Sequence, residues 1–141
     1  MRETYLNTSD DTARDDGWTL IELLVVLSLI MILASVAMNQ YNTSIRTAQE
    51  ATLKTNLFRM RDAIDQYFAD KGQYPASIQT LVSEGYLRSV PLDPIMRSRD
   101  TWSTTPAEPD PSRPSTDTGI YDVKSGSDGT ALDGSRYADW E

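Results

Sequence analysis

The polarity of the chain changes abruptly at residues 17 and 18. Before that point the sequence is polar; beyond it, residues 23–45 carry no charged side chain. The run Leu23-Leu24-Val25-Val26-Leu27-Ser28-Leu29-Ile30-Met31-Ile32-Leu33 is apolar on every face of a helix, where a soluble amphipathic helix would show a polar stripe. At 1.5 Å per residue, residues 23–45 rise about 35 Å, enough to cross a hydrocarbon core of about 30 Å. A buried core helix would need wrapping on all sides, and the remaining chain is too short to wrap it. The pattern predicts a membrane-inserted helix.

From Tyr41 onward the periodicity changes. Ile45, Ala48, Leu53, Leu57, Met60, Ile64 and Tyr67 recur mostly at spacings of three and four, which predicts one buried face. Arg46, Lys54, Arg59 and Arg61 balance Glu50, Asp62, Asp65 and Asp70 on the other, solvated face. Gly72, with Pro75 shortly beyond, is the expected stop. The helix then runs from about residue 18 to about residue 70, roughly 80 Å in length. No sustained heptad extends into residues 23–45, which argues against a coiled coil. Ser77 is placed to cap a short helix ending near Glu84 and Gly85. Pro91, Asp93 and Pro94 break the chain. Residues 101–105 and 119–123 read as two antiparallel strands joined by an exposed, proline-rich acidic loop. The expected class is α+β. A long N-terminal α-helix inserts its apolar half in the membrane and packs its distal half on a small C-terminal head of antiparallel sheet and loops. The expected segments are residues 1–17, 18–45, 46–72 and 73–141.

Composition then removes chemistry. The 141 residues include no cysteine and no histidine, and the formal net charge is −8. That excludes a disulfide framework, a Cys/His zinc site and a Ser-His-Asp triad. An acidic chain also makes nucleic acid a poor partner, because phosphate binding needs clustered Lys and Arg. Acids are plentiful, yet no carboxylate pair is marked by an apolar surround or a cation partner, and no Gly-rich phosphate loop is present. An enzyme is not expected.

The first segment is unlike a secretory signal peptide. Arg2 and Arg14 are outnumbered by Glu3, Asp10, Asp11, Asp15 and Asp16, and no clean small-residue cleavage site follows the apolar run. Any cut therefore falls before the helix and leaves it attached. Arg14 and Arg46 flank the two ends and barely set its orientation. Glu22 interrupts the apolar run one helical turn after Trp18. An ionised carboxylate deep in lipid costs roughly 2.5–3.5 kcal/mol on insertion scales. A nearby helix N-terminus offsets about 0.3–1 kcal/mol. An α-amine created on Trp18 by a cut after Gly17 would be a charge partner, on the same or a neighbouring chain.

These residues carry a family resemblance. Gly17-Trp18-Thr19-Leu20-Ile21-Glu22-Leu23-Leu24-Val25-Val26-Leu27 resembles the processing motif of type IV pilins and type II secretion pseudopilins. The resemblance implies cleavage between Gly17 and Trp18 by a prepilin peptidase and N-methylation of Trp18. It also implies that Glu22 pairs with the N-terminus of an adjacent subunit during assembly. Met31 and Asn39 stand where many members carry Gly and Pro, so an unbroken helix is expected. The acidic leader departs from the basic leaders common in the family. Further along, Tyr67 to Pro75, Gly85-Tyr86-Leu87 with Asp93-Pro94, and Asp122 to Gly129 with Trp140 resemble patches of the major type II secretion pseudopilin. That subfamily implies a helical homopolymer in the periplasm, built from an inner-membrane, single-pass precursor. Its implied partners are minor pseudopilins, the inner-membrane assembly platform, the prepilin peptidase and membrane lipid. A type IV pilin for adhesion, motility or DNA uptake is the alternative.

Residues 125–134 put carboxylates and carbonyls into a loop punctuated by Gly126, Gly129 and Gly134, suited to a hard cation though not spaced as an EF-hand. The subfamily resemblance implies calcium here, with Asp128 at a matching ligand position and Asp133, Thr130 and the Ser125 carbonyl as further ligands. An acidic, turn-rich surface loop is the simpler reading.

Overall fold

A computed structural model of the chain describes residues 12–109, 111 and 118–141, with side chains from residue 18 onward. Helix α1 runs unbroken over Thr12–Lys71, so it begins ahead of the Gly17–Trp18 bond instead of at residue 18. The leader residues before Thr12 lie outside the described part. The chain divides into two compact units, Met1–Ser44 and Ile45–Glu141.

In the first unit the apolar residues pack against nothing. Trp18 is 78% exposed, and Leu24, Ile30 and Leu33 are also open. Trp18–Lys71 contains an 18-residue window of mean hydropathy 2.7, none of it buried. By length and composition it is able to cross a membrane. Hydroxyls that would be unsatisfied in lipid are bonded to the helix itself. Ser28 donates to the Leu24 carbonyl at 2.7 Å, Ser35 to Ile32 at 2.7 Å and Ser44 to Gln40 at 3.0 Å.

The second unit folds on the distal part of α1. Leu53, Leu57, Met60, Ile64 and Tyr67 form the buried stripe that their spacing predicts. Ile45 and Ala48, expected to extend it, are exposed. Facing the stripe are Ile78 and Leu81 of α2 (Ile78–Ser83), Trp102 of β1 (Trp102–Pro106), Val123 of β2 (Ile120–Ser125), and Ala131, Tyr137 and Trp140 near the C-terminus. Burying such aliphatic and aromatic side chains stabilises the unit by about 1.5–3 kcal/mol each.

The stops and caps follow local chemistry. Gly72 adopts φ +68° and its N–H donates to the Phe68 carbonyl at 2.8 Å, the left-handed end that glycine provides at least cost. Ser77 caps α2 by accepting from Thr80 N at 3.2 Å. The two strands are antiparallel, with Trp102 opposite Ser125 and Thr104 opposite Val123, and the register shifts between Thr105 and Pro106. Both strands sit one or two residues later than their sequence pattern suggests, because the bonded register is set by Trp102 and Val123 reaching the core. Replacing Ile64 with Ala should cost about 2–5 kcal/mol of head stability. Phe58→Ala, at a position 71% exposed, should change it by about 0.5 kcal/mol or less. Paired denaturant melts monitored by tryptophan fluorescence check this contrast.

Candidate functional site

The processing and assembly residues lie on α1. The backbone is helical through Gly17 and Trp18, and Trp18 and Glu22 stand one turn apart on one side of the helix. Both side chains are exposed. Thus the residues that sequence singled out share one face at the start of the apolar run. The surface around them offers lipid or another chain nothing but hydrocarbon apart from Glu22 and a few hydroxyl and amide groups. Such a carboxylate has a strong need for a positive partner in a low-dielectric surround.

The C-terminal loop is organised by side chains from the distal part of α1. Arg61 donates from Nε to Asp122 Oδ1 at 2.7 Å, and from Nη2 to the Val123 carbonyl at 3.0 Å and the Trp140 carbonyl at 2.8 Å. One planar fork thereby holds β2 and the chain end against the helix. Glu50 Oε1 accepts from Leu132 N at 2.9 Å and from the Tyr137 hydroxyl at 3.0 Å. Arg46 Nη2 donates to the Thr130 carbonyl at 3.0 Å. Lys54 Nζ lies 4.5 Å from the centre of the Trp140 ring, a cation–π contact. The expectation of a uniformly solvated charged face is therefore corrected. Arg46, Glu50, Lys54 and Arg61 border the apolar stripe, and the loop lies where they reach. Their spacing of four, four and seven was the available signal.

A second fastening was invisible in the sequence. Asp93 is fully buried, with Oδ1 accepting from Ile95 N at 2.8 Å and Met96 N at 3.1 Å, while Oδ2 accepts from the Ser125 hydroxyl at 2.7 Å. What reads as a chain break at Asp93-Pro94 is a satisfied carboxylate that ties its turn to the end of β2. Asn56 Nδ2 donates to the Leu92 carbonyl at 2.9 Å, and Trp102 Nε1 to the Pro91 carbonyl at 2.9 Å. Just beyond Ser125, a Cβ on Gly126 would collide with the Thr101 carbonyl, so only glycine fits. The patch around Tyr67 is likewise structural. Tyr86 donates to Asp70 at 2.8 Å, Tyr74 stacks on Phe68 at 4.4 Å, and the Pro75 carbonyl accepts from Ile120 N at 2.8 Å.

The residues expected to hold calcium do not fit a cation cage. The Asp128 side chain is wholly exposed, with the Arg136 guanidinium 3.9 Å away. The Thr130 carbonyl already accepts from Arg46. Asp133 Oδ1 accepts from Ser135 N at 2.9 Å and Ser135 Oγ at 2.6 Å. Those bonds hold the Asp133 carboxyl below its ordinary range. Ser125 closes β2 opposite Trp102, its hydroxyl committed to Asp93. Two of the four expected ligands thus face guanidinium groups. Among the described residues no three acidic side chains converge, whereas a calcium site needs six to eight oxygens.

Comparison with known proteins places these features. Residues 13–38 match the family described as the prokaryotic N-terminal methylation motif. The chain is 33% identical over 79 residues to the fimbrial protein EcpC of Eikenella corrodens, covering 52% of each. It is 29% identical over 97 residues to the type II secretion system core protein G of Klebsiella pneumoniae, covering 57% of this chain and 69% of that one. The corresponding protein of Escherichia coli (strain K12) is 27% identical over 99 residues, covering 59% and 68%. The chain thus spans about half the length of the Eikenella relative. No solved structure matches it. An N-terminal methylation motif opens a long apolar helix that leads to a small two-stranded head, an arrangement consistent with an α+β pilin-like fold. Similarity to core protein G of type II secretion systems recurs across species, at 27–29% identity over 97–99 residues.

Two predictions follow from the head. Arg61→Lys should destabilise it almost as much as Arg61→Ala, by about 1.5–3 kcal/mol, because an ammonium cannot reproduce the three-acceptor fork. Near-wild-type melting of the lysine variant would contradict that. Burial, followed by the bond to Glu50, raises the Tyr137 pKa above its ordinary value of 10.0, although Arg46 opposes the shift. A raised folded-state value means stability that is complete below pH 10 and lost as pH climbs through the folded pKa. Tyr137→Phe should therefore flatten the alkaline limb of a stability-versus-pH curve measured by circular dichroism.

Proposed function

We propose that the chain is a structural subunit of a periplasmic pseudopilus that drives type II protein secretion. A prepilin peptidase cuts between Gly17 and Trp18 and Trp18 is N-methylated. The apolar part of α1 anchors the subunit in the bacterial inner membrane with its head in the periplasm. It leaves the bilayer for the filament interior on assembly. The observation that carries this reading is the fully unpacked apolar surface of residues 18–44, interrupted by one carboxylate, Glu22, beside the new N-terminus. In a hydrocarbon surround two opposite charges stabilise each other strongly only when paired, and an unpaired one is costly. Glu22 on one subunit and the α-amine of Trp18 on the next satisfy both. The same pairing makes polymerisation directional.

The role is mechanical, not catalytic. What supports it is the company the sequence keeps, structural pseudopilins and pilins. The partners are further copies of the chain, minor pseudopilins, the assembly platform of the inner membrane, the prepilin peptidase and lipid. A second reading, a type IV pilin subunit, is favoured by the similarity to the Eikenella fimbrial protein. Deletion of the gene separates the two: loss of exoprotein secretion with surface motility intact supports the first, the reverse the second. Glu22→Ala should be processed and membrane-inserted yet fail to yield sheared filaments, with pelletable assembly falling at least tenfold. Normal filaments from that variant would reject the role. Gly17→Ala should leave the full-length precursor on a gel.

A further inference from the structure

We infer that the C-terminal loop of this head is fastened by a helix-borne clasp, centred on Glu50, that works without a divalent cation. Residues 125–136 make a turn-rich segment with little apolar surface of its own; of residues 126–136, Ser127 and Ala131 alone are buried. Such a segment needs an external anchor. In a cation site the anchor is a metal that gathers loop oxygens from within. Here it is a carboxylate on α1 that collects loop donors from outside.

The polarity of the contacts carries the inference. Glu50 Oε1 takes both the Leu132 N–H and the Tyr137 hydroxyl, spanning the loop from its tip to its return. One turn earlier, Arg46 donates to the Thr130 carbonyl, so the helix meets a loop donor with an acid and a loop acceptor with a base. The loop closes on itself between them. Ala131 N donates to the Ser135 carbonyl at 2.7 Å and Tyr137 N to the Gly129 carbonyl at 3.2 Å. Asp133 turns back to Ser135, and Asp128 extends into solvent toward Arg136. A cation placed among Asp128 and Thr130 would meet the positive charges of Arg136, 3.9 Å from the Asp128 carboxylate, and of Arg46, bonded to the Thr130 carbonyl. The clasp depends only on residues 45–141 and holds for a secretion or a pilus subunit alike, so its failure leaves the proposed function untouched.

The test uses the full-length chain in detergent micelles. Thermal unfolding of the head, followed by tryptophan fluorescence, should give the same midpoint in excess chelator and in millimolar calcium chloride, for the wild type. Hydrogen exchange should show the Leu132 amide protected in both buffers. Glu50→Ala should accelerate exchange at Leu132 about tenfold or more, whereas Asp128→Ala should leave it unchanged. A rise in the wild-type midpoint with calcium would overturn the inference, as would a fall with chelator. So would loss of Leu132 protection in Asp128→Ala with none in Glu50→Ala.

Discussion

A sheet of two strands does not hold itself together in water, and everything in the head depends on how the distal part of α1 compensates. Its stripe of Leu53, Leu57, Met60, Ile64 and Tyr67 supplies the apolar surface on which the rest of the described head packs. Trp102, Val123, Tyr137 and Trp140 are buried because they reach that stripe. The charged residues flanking it finish the task by binding the parts of the chain too polar to be buried. Arg61 takes the middle of β2 and the Trp140 carbonyl, and Glu50 and Arg46 take the loop. Without the helix, neither the strands nor the loop has a reason to adopt its position.

The same helix begins under a different constraint. Over residues 18–44 it has no packed face and no charge besides Glu22. Its serine hydroxyls donate to backbone carbonyls of the same helix, which would satisfy them in a hydrocarbon surround. One element thus carries two solutions to the burial problem. The proximal part leaves its apolar surface unpacked, and the distal part spends its surface on its own head.

Much of this was readable from local patterns. The charge-free run, the three-and-four spacing, Gly72 as a stop and Ser77 as a cap are properties of neighbouring residues; the structure realises the stop, the cap and the stripe from Leu53 to Tyr67, while Ile45 and Ala48 stay exposed. The two strands were found with a shift of one or two residues, because register depends on which side chains reach the core. What escaped was long-range. Arg61 and Asp122 lie 61 positions apart, and Asp93 and Ser125 lie 32 apart. No spacing rule connects such pairs, so Arg61 reads as a solvated charge and Asp93 as part of a turn. In the loop of residues 125–134 the acids and glycines suggest a cation cage, and the guanidinium groups of Arg46 and Arg136 that stand beside Thr130 and Asp128 are a feature no local spacing announces.

The central claim is that the apolar helix of the working subunit starts at Trp18 with a modified amine facing Glu22 of a neighbour. Intact-mass and N-terminal fragment spectrometry of the protein purified from membranes tests it most directly. The account predicts a chain that begins at Trp18, lacks residues 1–17, and is one methyl group heavier on its α-amine. A mature protein that retains the leader, or that begins at any residue beyond Glu22, would contradict it.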